Sequence, residues 1–172
     1  KKVEGLIEAI EQLRGEGLDD LELIIAGTDS PNAAGYLDAV QERYSHVEGL
    51  SFTGYVDEED VPRLFSDAAT VVFPYTSTTG SSGVLHQSSL YGTAAIMPKI
   101  GDFAELISEE GYDGEYFEPD SVGSLANAIR RVVTDDHRRR QIGMRNYMAA
   151  CGLPISEVVD WYVLHLETLV AS

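Results

Sequence analysis

Apolar positions along the chain alternate between helical spacing and short continuous runs. The first residues follow helical spacing, with apolar side chains at 3, 6, 7, 10 and 13, which predicts a helix over residues 3–13. Short apolar runs recur after breaks rich in glycine or aspartate, as is typical of strands in a parallel sheet buried on both faces. They predict strands at Leu21–Ala26, Leu50–Thr53, Thr70–Phe73, Ala94–Met97 and Glu115–Phe117.

Helical segments separate these strands. Ser30 and Pro31 supply an N-cap and a first-turn proline for a helix that we expect to continue to about Tyr44. Pro62 must lie in the first turn of the next helix, and Ser121 is expected to cap a later one. These further helices are predicted over residues 57–68, 83–91, 102–108, 122–133, 135–150 and 156–170.

Strands joined by single helices predict an α/β fold, namely a Rossmann-like, doubly wound, mostly parallel sheet with terminal helices. No internal repeat or flexible linker interrupts residues 1–172, so one domain is expected. In such folds ligands bind beyond the carboxyl ends of the strands. The candidate loops are therefore residues 27–32, 54–57, 75–82 and 98–102.

The composition fits one globular domain, since 44% of the 172 residues are hydrophobic and 24% are charged. The formal net charge is -17, with 12 basic against 29 acidic side chains. Nucleic acids and anionic membranes bind clustered Lys and Arg, so we expect neither as a partner. The basic run Arg138–Arg140 is predicted to be a solvated helix face. A phosphate ligand would have to rely on local backbone dipoles rather than on overall charge.

Cys151 is the only cysteine, which excludes an intrachain disulfide and a cysteine-rich metal site. We therefore expect a reducing, cytoplasmic location and a buried thiol without a chemical role. No apolar run approaches the roughly 18 residues that span a bilayer, and the first residues lack the basic and apolar pattern of a signal peptide, so we expect neither feature. Because a helical pattern begins at once, we expect the domain to have been cut from a longer chain.

The segment Thr79–Val84 (TGSSGV) lies between the third predicted strand and the next helix. Small residues let a ligand approach the backbone closely, and consecutive amides at a helix start can bind an anionic oxygen without a cation. The same composition fits a plain strand-to-helix turn whose serines act only as caps. The residues by themselves leave both interpretations open.

Other polar residues give weaker indications. His86 is expected to make a polar or packing contact rather than to act as an acid or base. The acidic residues between 109 and 115 lack an ordered calcium-ligand pattern, so a solvated loop is predicted there. The remaining histidines are scattered without metal-ligand spacing: His46, His137 and His165.

Four stretches stand in a characteristic order: LELIIAG (21–27), VEGLSFTGYVDEEDVPRLFSDAATVVFPY (47–75), TTGSSGVLHQSSLYG (78–92) and GDFAELISEEGYDGEYFEPDSVGSLANAI (101–129). Together they resemble the C-terminal, nucleotide-sugar-binding domain of the GT-B glycosyltransferases of family 4, the large retaining group 1 family. The resemblance spans nearly the whole chain. It implies that the predicted sheet is one half of a GT-B architecture, and that an acceptor-binding N-terminal domain belongs to the same parent chain.

The family's glycine-rich segment carries two glutamates, and this chain carries neither. Counting back from Gly92 places Thr79 at the first and Gln87 at the second. In the family the second glutamate binds the nucleotide ribose and the first reaches the donor sugar. Gln87 can still hydrogen-bond to hydroxyls, without a charge-assisted bond, whereas Thr79 is shorter and uncharged. The resemblance therefore implies altered contacts to the sugar.

The same alignment implies roles for other residues. Tyr55 and Val56, after Gly54, would line the base. Lys1 would be the lysine that contacts the donor phosphates, and Asp102 lies in a loop near the sugar, where it is equally a candidate helix cap. Backbone donors to the diphosphate would come from Gly80, Ser81, Ser82, Gly83 and Val84, with the Ser82 hydroxyl added.

The resemblance implies the donor-binding domain of a retaining glycosyltransferase, which moves a sugar from a nucleoside diphosphate sugar to an acceptor without a cofactor or required metal. The isolated domain is expected to bind donor weakly and to be inactive, since the other domain supplies part of the site. The missing glutamates keep an alternative open, a non-catalytic nucleotide-sugar-binding or scaffold module. A GT-B sugar-nucleotide epimerase is a third possibility.

Overall fold

The computed structural model describes residues 2–76, 82–101 and 103–152, together with helical positions 159, 160, 162, 163 and 166. Helices and strands alternate as the sequence predicts, and a short 3-10 turn covers Pro31–Ala33. The elements are α1 (Glu4–Gly15), β1 (Leu23–Ala26), α2 (Tyr36–Arg43), β2 (Leu50–Gly54), α3 (Val61–Asp67), β3 (Thr70–Val72), α4 (Gly83–Ser89), β4 (Ala94–Pro98), α5 (Phe103–Glu109), β5 (Glu115–Phe117), α6 (Val122–Thr134) and α7 (Asp136–Cys151).

All strand pairs in the described residues are parallel, which confirms the α/β, Rossmann-like fold class. The strands form two sheets rather than the single sheet expected: β1 pairs with β2, and β4 lies between β3 and β5. No ladder joins β1 to β3 in the part of the chain described. The backbone amide of Lys2, just before α1, donates to the Pro74 carbonyl at 3.2 Å, so the chain enters α1 beside the end of β3.

Strand β4 is the centre of the core. All five of its residues are buried. Ala94 and Ile96 pack on one face with the apolar sides of α1 and α6, and Ala95 and Met97 pack on the other with α4 and α5. The sequence of a strand that is buried on both faces is a continuous apolar run, because polar side chains are unfavourable on either face.

Strand β1 differs from the prediction of burial on both faces. Ile25 is buried, but Ile24 is 50% exposed and Ala26 is also exposed. The physical reason is that β1 has a paired neighbour on one edge only, and its second face carries no close-packed helix among the described residues. The apolar run therefore predicted the strand correctly but not the exposure of its side chains.

Two predicted helices begin later than expected. Gly35 adopts a left-handed backbone with φ of 83°, which ends the 3-10 turn and lets α2 begin at Tyr36. Asp57–Asp60 forms a turn, in which the Asp60 amide donates to the Asp57 carbonyl at 3.0 Å, and α3 starts at Val61. Pro62 lies in the first turn of α3, as predicted.

Side-chain caps start both α6 and α7; the sequence predicts the cap at Ser121, whereas it places Asp135 inside the second of these helices. The Ser121 hydroxyl accepts from the Ser124 amide at 3.2 Å and starts α6. The Asp135 carboxylate accepts from the Arg138 amide at 2.9 Å and starts α7. Each cap satisfies an amide that has no partner inside the helix. The predicted helix over 156–170 lies mostly outside the described residues.

Two predictions about charged residues are wrong. Arg138 is not part of a solvated face, because its guanidinium binds Asp113 at 3.0 Å and Glu115 at 3.1 Å. Asp113 and Glu115 therefore do not belong to a solvated loop; Arg145 and Arg131 bind them as well, at 3.4 and 2.8 Å. The carboxylates at the start of β5 are therefore paired with arginine side chains from α6 and α7.

Cys151 is exposed at the end of α7 rather than buried. It follows Met144, Tyr147 and Met148 along one exposed side of this helix, at the spacing of three and four residues that shares a helix face. No helix among the described residues is long and apolar enough to cross a membrane.

Candidate functional site

The carboxyl ends of β3, β4 and β5 meet the starts of α1 and α6 at one edge of the molecule. Two lysines mark this edge. Lys2 bonds through its backbone to Pro74 after β3, and its ammonium lies 3.3 Å from the Asp120 carboxylate before α6. The Lys99 amide, after β4, donates to the Phe117 carbonyl at 2.9 Å, and its ammonium lies 2.8 Å from Glu118. In a doubly wound fold this edge is where ligands bind.

Helix α4 begins at the same edge, and in the sequence it directly follows the segment rich in glycine and serine. Ser82 is its N-cap residue, with extended backbone, and its carbonyl accepts the amides of Leu85 and His86. Ser82 is only 8% exposed, and its hydroxyl lies 3.1 Å from the Tyr75 hydroxyl. That contact anchors the start of α4 to the end of β3. The predicted bond from this hydroxyl to a diphosphate stays a prediction, and would compete with Tyr75.

The exposed side of α4 carries the predicted ligand contacts. Gly83 and Gln87 are exposed, and Val84 is 39% exposed. Residues three and four apart on a helix share a face, so Gln87 lies one turn behind Gly83 and Val84. The opposite side is buried through Leu85, Ser88 and Ser89. The arrangement leaves the first-turn backbone accessible, next to an amide side chain that can bind hydroxyl groups.

Gly83 meets the demands of a close approach. A Cβ atom built on it has no heavy atom of residues 2–76, 82–101 or 103–152 within 4 Å beyond its chain neighbours, and its φ is not in the left-handed region. The fold itself therefore tolerates a side chain here. A ligand that contacts the Gly83 backbone would not.

His86 makes the polar contact that the sequence indicates. Its Nδ1 lies 2.6 Å from the hydroxyl of Tyr112, and the two rings meet edge to face at 5.1 Å. Its Nε2 lies 3.8 Å from Glu110. Burial, and then the nearby charge of Glu110, raise the pKa of Tyr112 above its ordinary value. The contact ties α4 to the turn before β5.

The ends of β1 and β2 form a second part of the same edge. The Gly27 amide donates to the Gly54 carbonyl at 3.0 Å, and both glycines have positive φ, which lets the two strand ends turn close together. Tyr55 follows and is 73% exposed, while Val56 is half-buried. An exposed aromatic ring beside backbone groups can stack on a planar base.

Tyr36 also contributes to this edge, and the sequence did not predict its role. Its hydroxyl accepts from the Val3 amide at 3.0 Å and donates to the Glu4 carboxylate, so it holds the start of α1. Burial and the hydrogen bond to Glu4 raise the pKa of Tyr36 to about 12. No spacing rule signals such a contact, because it joins α2 to α1 across more than 30 residues.

Some predicted positions lie outside the described residues: Lys1, Thr79, Gly80, Ser81 and Asp102. In the part of the chain that is described, no group of three or more His, Cys, Asp or Glu side chains could hold a metal ion. Two shallow hollows are lined by none of the predicted site residues. One lies on α7 at Asp136 and Arg140, and the other beside the end of α1 at Arg14 and His46.

The sequence matches the family described as glycosyl transferases group 1 over residues 1–135. The chain belongs to this family. No curated protein sequence matches it.

Several solved structures are similar to this chain. HepE of Anabaena, in complex with UDP-glucose, is 19% identical with a TM-score of 0.80, over 96% of this chain and 44% of HepE. The pneumococcal O-GlcNAc transferase GtfA, in complex with UDP and GlcNAc, is 16% identical with a TM-score of 0.79, over 100% and 34%. Sucrose-phosphate synthase from Thermosynechococcus elongatus is 20% identical with a TM-score of 0.77, over 99% and 43%.

At these identities the likeness establishes the fold, that of the GT-B glycosyltransferases. The chain spans less than half the length of each of these proteins.

Proposed function

We propose that this chain is the donor-binding domain of a retaining glycosyltransferase, which transfers a sugar from a nucleoside diphosphate sugar to an acceptor. The observation that carries the proposal is the match to the group 1 glycosyl transferases over residues 1–135, a range that includes the whole carboxyl edge described above. The nucleotide complexes of HepE and GtfA, which share this fold, favour UDP as the first nucleotide to test.

The geometry of α4 supports a role in holding the diphosphate. Its first-turn residues Gly83 and Val84 are exposed, and amides in the first turn of a helix have no partner inside that helix. Their partial positive charge attracts an anion, although a helix of one to two turns contributes less than a long one. In a chain with net charge -17 such local donors matter, because the overall field repels a nucleotide.

In the same proposal the exposed ring of Tyr55 stacks on the base, with Val56 and the backbone at Gly54 beside it, and Gln87 binds the ribose hydroxyls. Lys1, Gly80, Ser81 and Ser82 complete the phosphate contacts, and Thr79 lies nearest the sugar. Catalysis needs the acceptor-binding domain, so we expect the isolated chain to bind nucleotide but not to transfer sugar. The proposal includes no metal, and a cytoplasmic location stays a prediction.

Calorimetric titration with UDP, GDP and ADP tests donor binding directly. We expect one of the three to bind, with a dissociation constant between micromolar and millimolar. Gly83→Val should lower its affinity at least tenfold, because the side chain enters the space that the phosphate needs. Gly15→Val is the control, since Gly15 also lies in a helix with open space around it, at the end of α1 away from the carboxyl edge. Absence of binding by a folded chain would reject the proposal.

The alternative is a module that binds nucleotide sugars without catalysing transfer. Its motivating feature is the uncharged pair Thr79 and Gln87, where the family has two glutamates. Assay of the complete parent protein with radiolabelled nucleotide sugars separates the alternatives, because a scaffold binds and never turns over. A GT-B epimerase would instead convert the free nucleotide sugar without an acceptor.

A further inference from the structure

The lysines of this chain are unevenly distributed. There are three, Lys1, Lys2 and Lys99, against nine arginines. Both lysines in the described residues lie at the carboxyl edge, where the strands end. Arginines serve elsewhere as structural links, as Arg131 and Arg138 do at the start of β5. Lysine is a compact, mobile point charge suited to phosphate, whereas arginine suits fixed bidentate contacts.

Lys2 and Lys99 are held by carboxylates of a single turn, the one that precedes α6. Lys2 pairs with Asp120 at 3.3 Å and Lys99 pairs with Glu118 at 2.8 Å. Residues two apart have Cα atoms no more than about 7 Å from each other. Two ammonium groups from separate segments, the residues before α1 and the residue after β4, are therefore brought to one small region.

The backbones of these residues are fixed while the side-chain tips are exposed. The Glu118 amide donates to the Ser124 hydroxyl at 2.9 Å, and the Ser121 amide donates to the Glu118 carbonyl at 3.3 Å. The four charged side chains of the two pairs are between 56% and 67% exposed. Exposed ion pairs contribute little to stability, so each can open without disturbing the fold.

We propose that Lys2 and Lys99 bind the diphosphate of the donor, and that Asp120 and Glu118 hold the two ammonium groups until the diphosphate displaces the carboxylates. This inference rests on the proposed donor-binding function. A carboxylate and a phosphate compete for the same ammonium hydrogens, and the diphosphate brings more charge. Each carboxylate thus positions a lysine in the free protein and opposes the ligand electrostatically.

Two kinds of substitution, with opposite expected effects on UDP affinity, test whether the diphosphate replaces the carboxylates at the two lysines. We expect Lys99→Gln to weaken UDP binding about five- to tenfold, measured by calorimetry at low salt. Glu118→Gln should strengthen it about two- to fourfold, because the competing carboxylate is gone. Asp120→Asn should act in the same direction. Asn tolerates the left-handed backbone of position 120, where φ is 56°, so this substitution changes charge with little strain.

Controls separate this exchange from general electrostatic or structural effects. Arg140→Gln removes a positive charge whose side chain is 81% exposed on α7, and should leave UDP affinity unchanged. Uridine, which has no phosphate, should bind the Lys99→Gln and wild-type chains equally well. Raising the salt concentration should shrink both the loss and the gain, because the diphosphate contacts are exposed.

The outcomes distinguish the two proposals. Lys99→Gln with affinity within twofold of wild type would overturn the lysine assignment, while wild-type binding and the Gly83→Val loss would leave the donor-site proposal standing. Weaker binding by Glu118→Gln would overturn the displacement, since the carboxylate would then assist the ligand. No binding of UDP, GDP or ADP by the wild-type chain would reject both.

Discussion

Strands β1 and β4 come from similar apolar runs but occupy very different surroundings. Ile96 of β4 is fully buried, whereas Ile24 of β1 is 50% exposed. β4 has a paired strand on each edge and helices on each face, while β1 has one paired neighbour in the described residues. Burial therefore depends on where a strand lies in the sheet, which its own sequence does not state. The three-stranded sheet is enclosed by helices on both faces, and the candidate ligand edge joins it to the two-stranded sheet.

The strongest test of this difference is the same substitution in each strand. Ile96→Ala should lower the free energy of unfolding by about 3–4 kcal/mol, because it leaves a cavity that the packed layers on both faces cannot fill. Ile24→Ala should cost less than about 1 kcal/mol, since half of its side chain already contacts water. Urea denaturation of both variants provides the comparison. Equal losses would mean that β1 is as enclosed in solution as β4.

The close contact of α7 with the loop before β4 is the next test. A Cβ atom on Gly143 would overlap the Gly92 carbonyl oxygen, so Gly143→Ala forces helix and loop apart. We expect a loss of about 2–3 kcal/mol, of the size measured for overpacked cores. Gly123→Ala on α6 has open space and should stabilise by up to about 1 kcal/mol through helix propensity. A neutral Gly143→Ala in thermal unfolding would contradict this packing.

Local patterns allowed most of the fold to be predicted. Alternating helices and strands, the cap at Ser121 and the proline in α3 all follow from short-range rules. What escaped prediction depends on partners distant in sequence. The division into two sheets and the exposure of Ile24 reflect neighbours that a strand's own residues do not specify. The late start of α2 depends on Gly35, whose left-handed backbone the sequence permits but does not require.

The candidate site was predictable only in part. Gly83, Val84 and Gln87 were predicted because a glycine and serine segment before a helix has a known geometry and a family resemblance, and their ligand contacts stay predictions. Lys99, which we propose as a diphosphate contact, was not among the residues predicted from the sequence, although only three lysines occur in it. Its significance comes from Glu118, nineteen residues away, and from the edge where both lie. Charge pairs of this kind become visible only once the strands are placed side by side.

Two arginines of α7 differ in the same way as the two strands, because one is mostly buried in ion pairs and the other is exposed. Arg138 binds Asp113 and Glu115 with a side chain that is 29% exposed, while Arg140, two residues later, is 81% exposed. Arg138→Gln should therefore cost about 1–2 kcal/mol, more than an exposed pair, because it leaves half-buried carboxylates without their cation. Arg140→Gln should change stability by less than about 0.5 kcal/mol. Similar chemical denaturation midpoints for the two variants would place Arg138 among ordinary surface charges.

The smallest expected effect is a pH dependence of stability that arises from Asp113, just before β5 of the three-stranded sheet. Burial opposes ionisation of Asp113, but hydrogen bonds from Arg138 and the Gly114 amide outweigh it and lower the pKa of this carboxyl below its ordinary value of 3.8. The unfolded chain then binds the proton more tightly than the folded chain. The stabilisation is present above pH 3.8 and disappears as the pH falls through the lower, folded pKa.

Asp113→Asn should consequently flatten the acid side of the stability profile by less than about 1 kcal/mol, a small value because solvent screens the site. Thermal unfolding between pH 2.5 and 6 measures this slope. The same substitution in an Arg138→Gln background should have a smaller effect, because the cation that lowers the pKa is absent. An equally large change in that background would mean that Arg145 or the Gly114 amide, rather than Arg138, holds Asp113 in its ionised form.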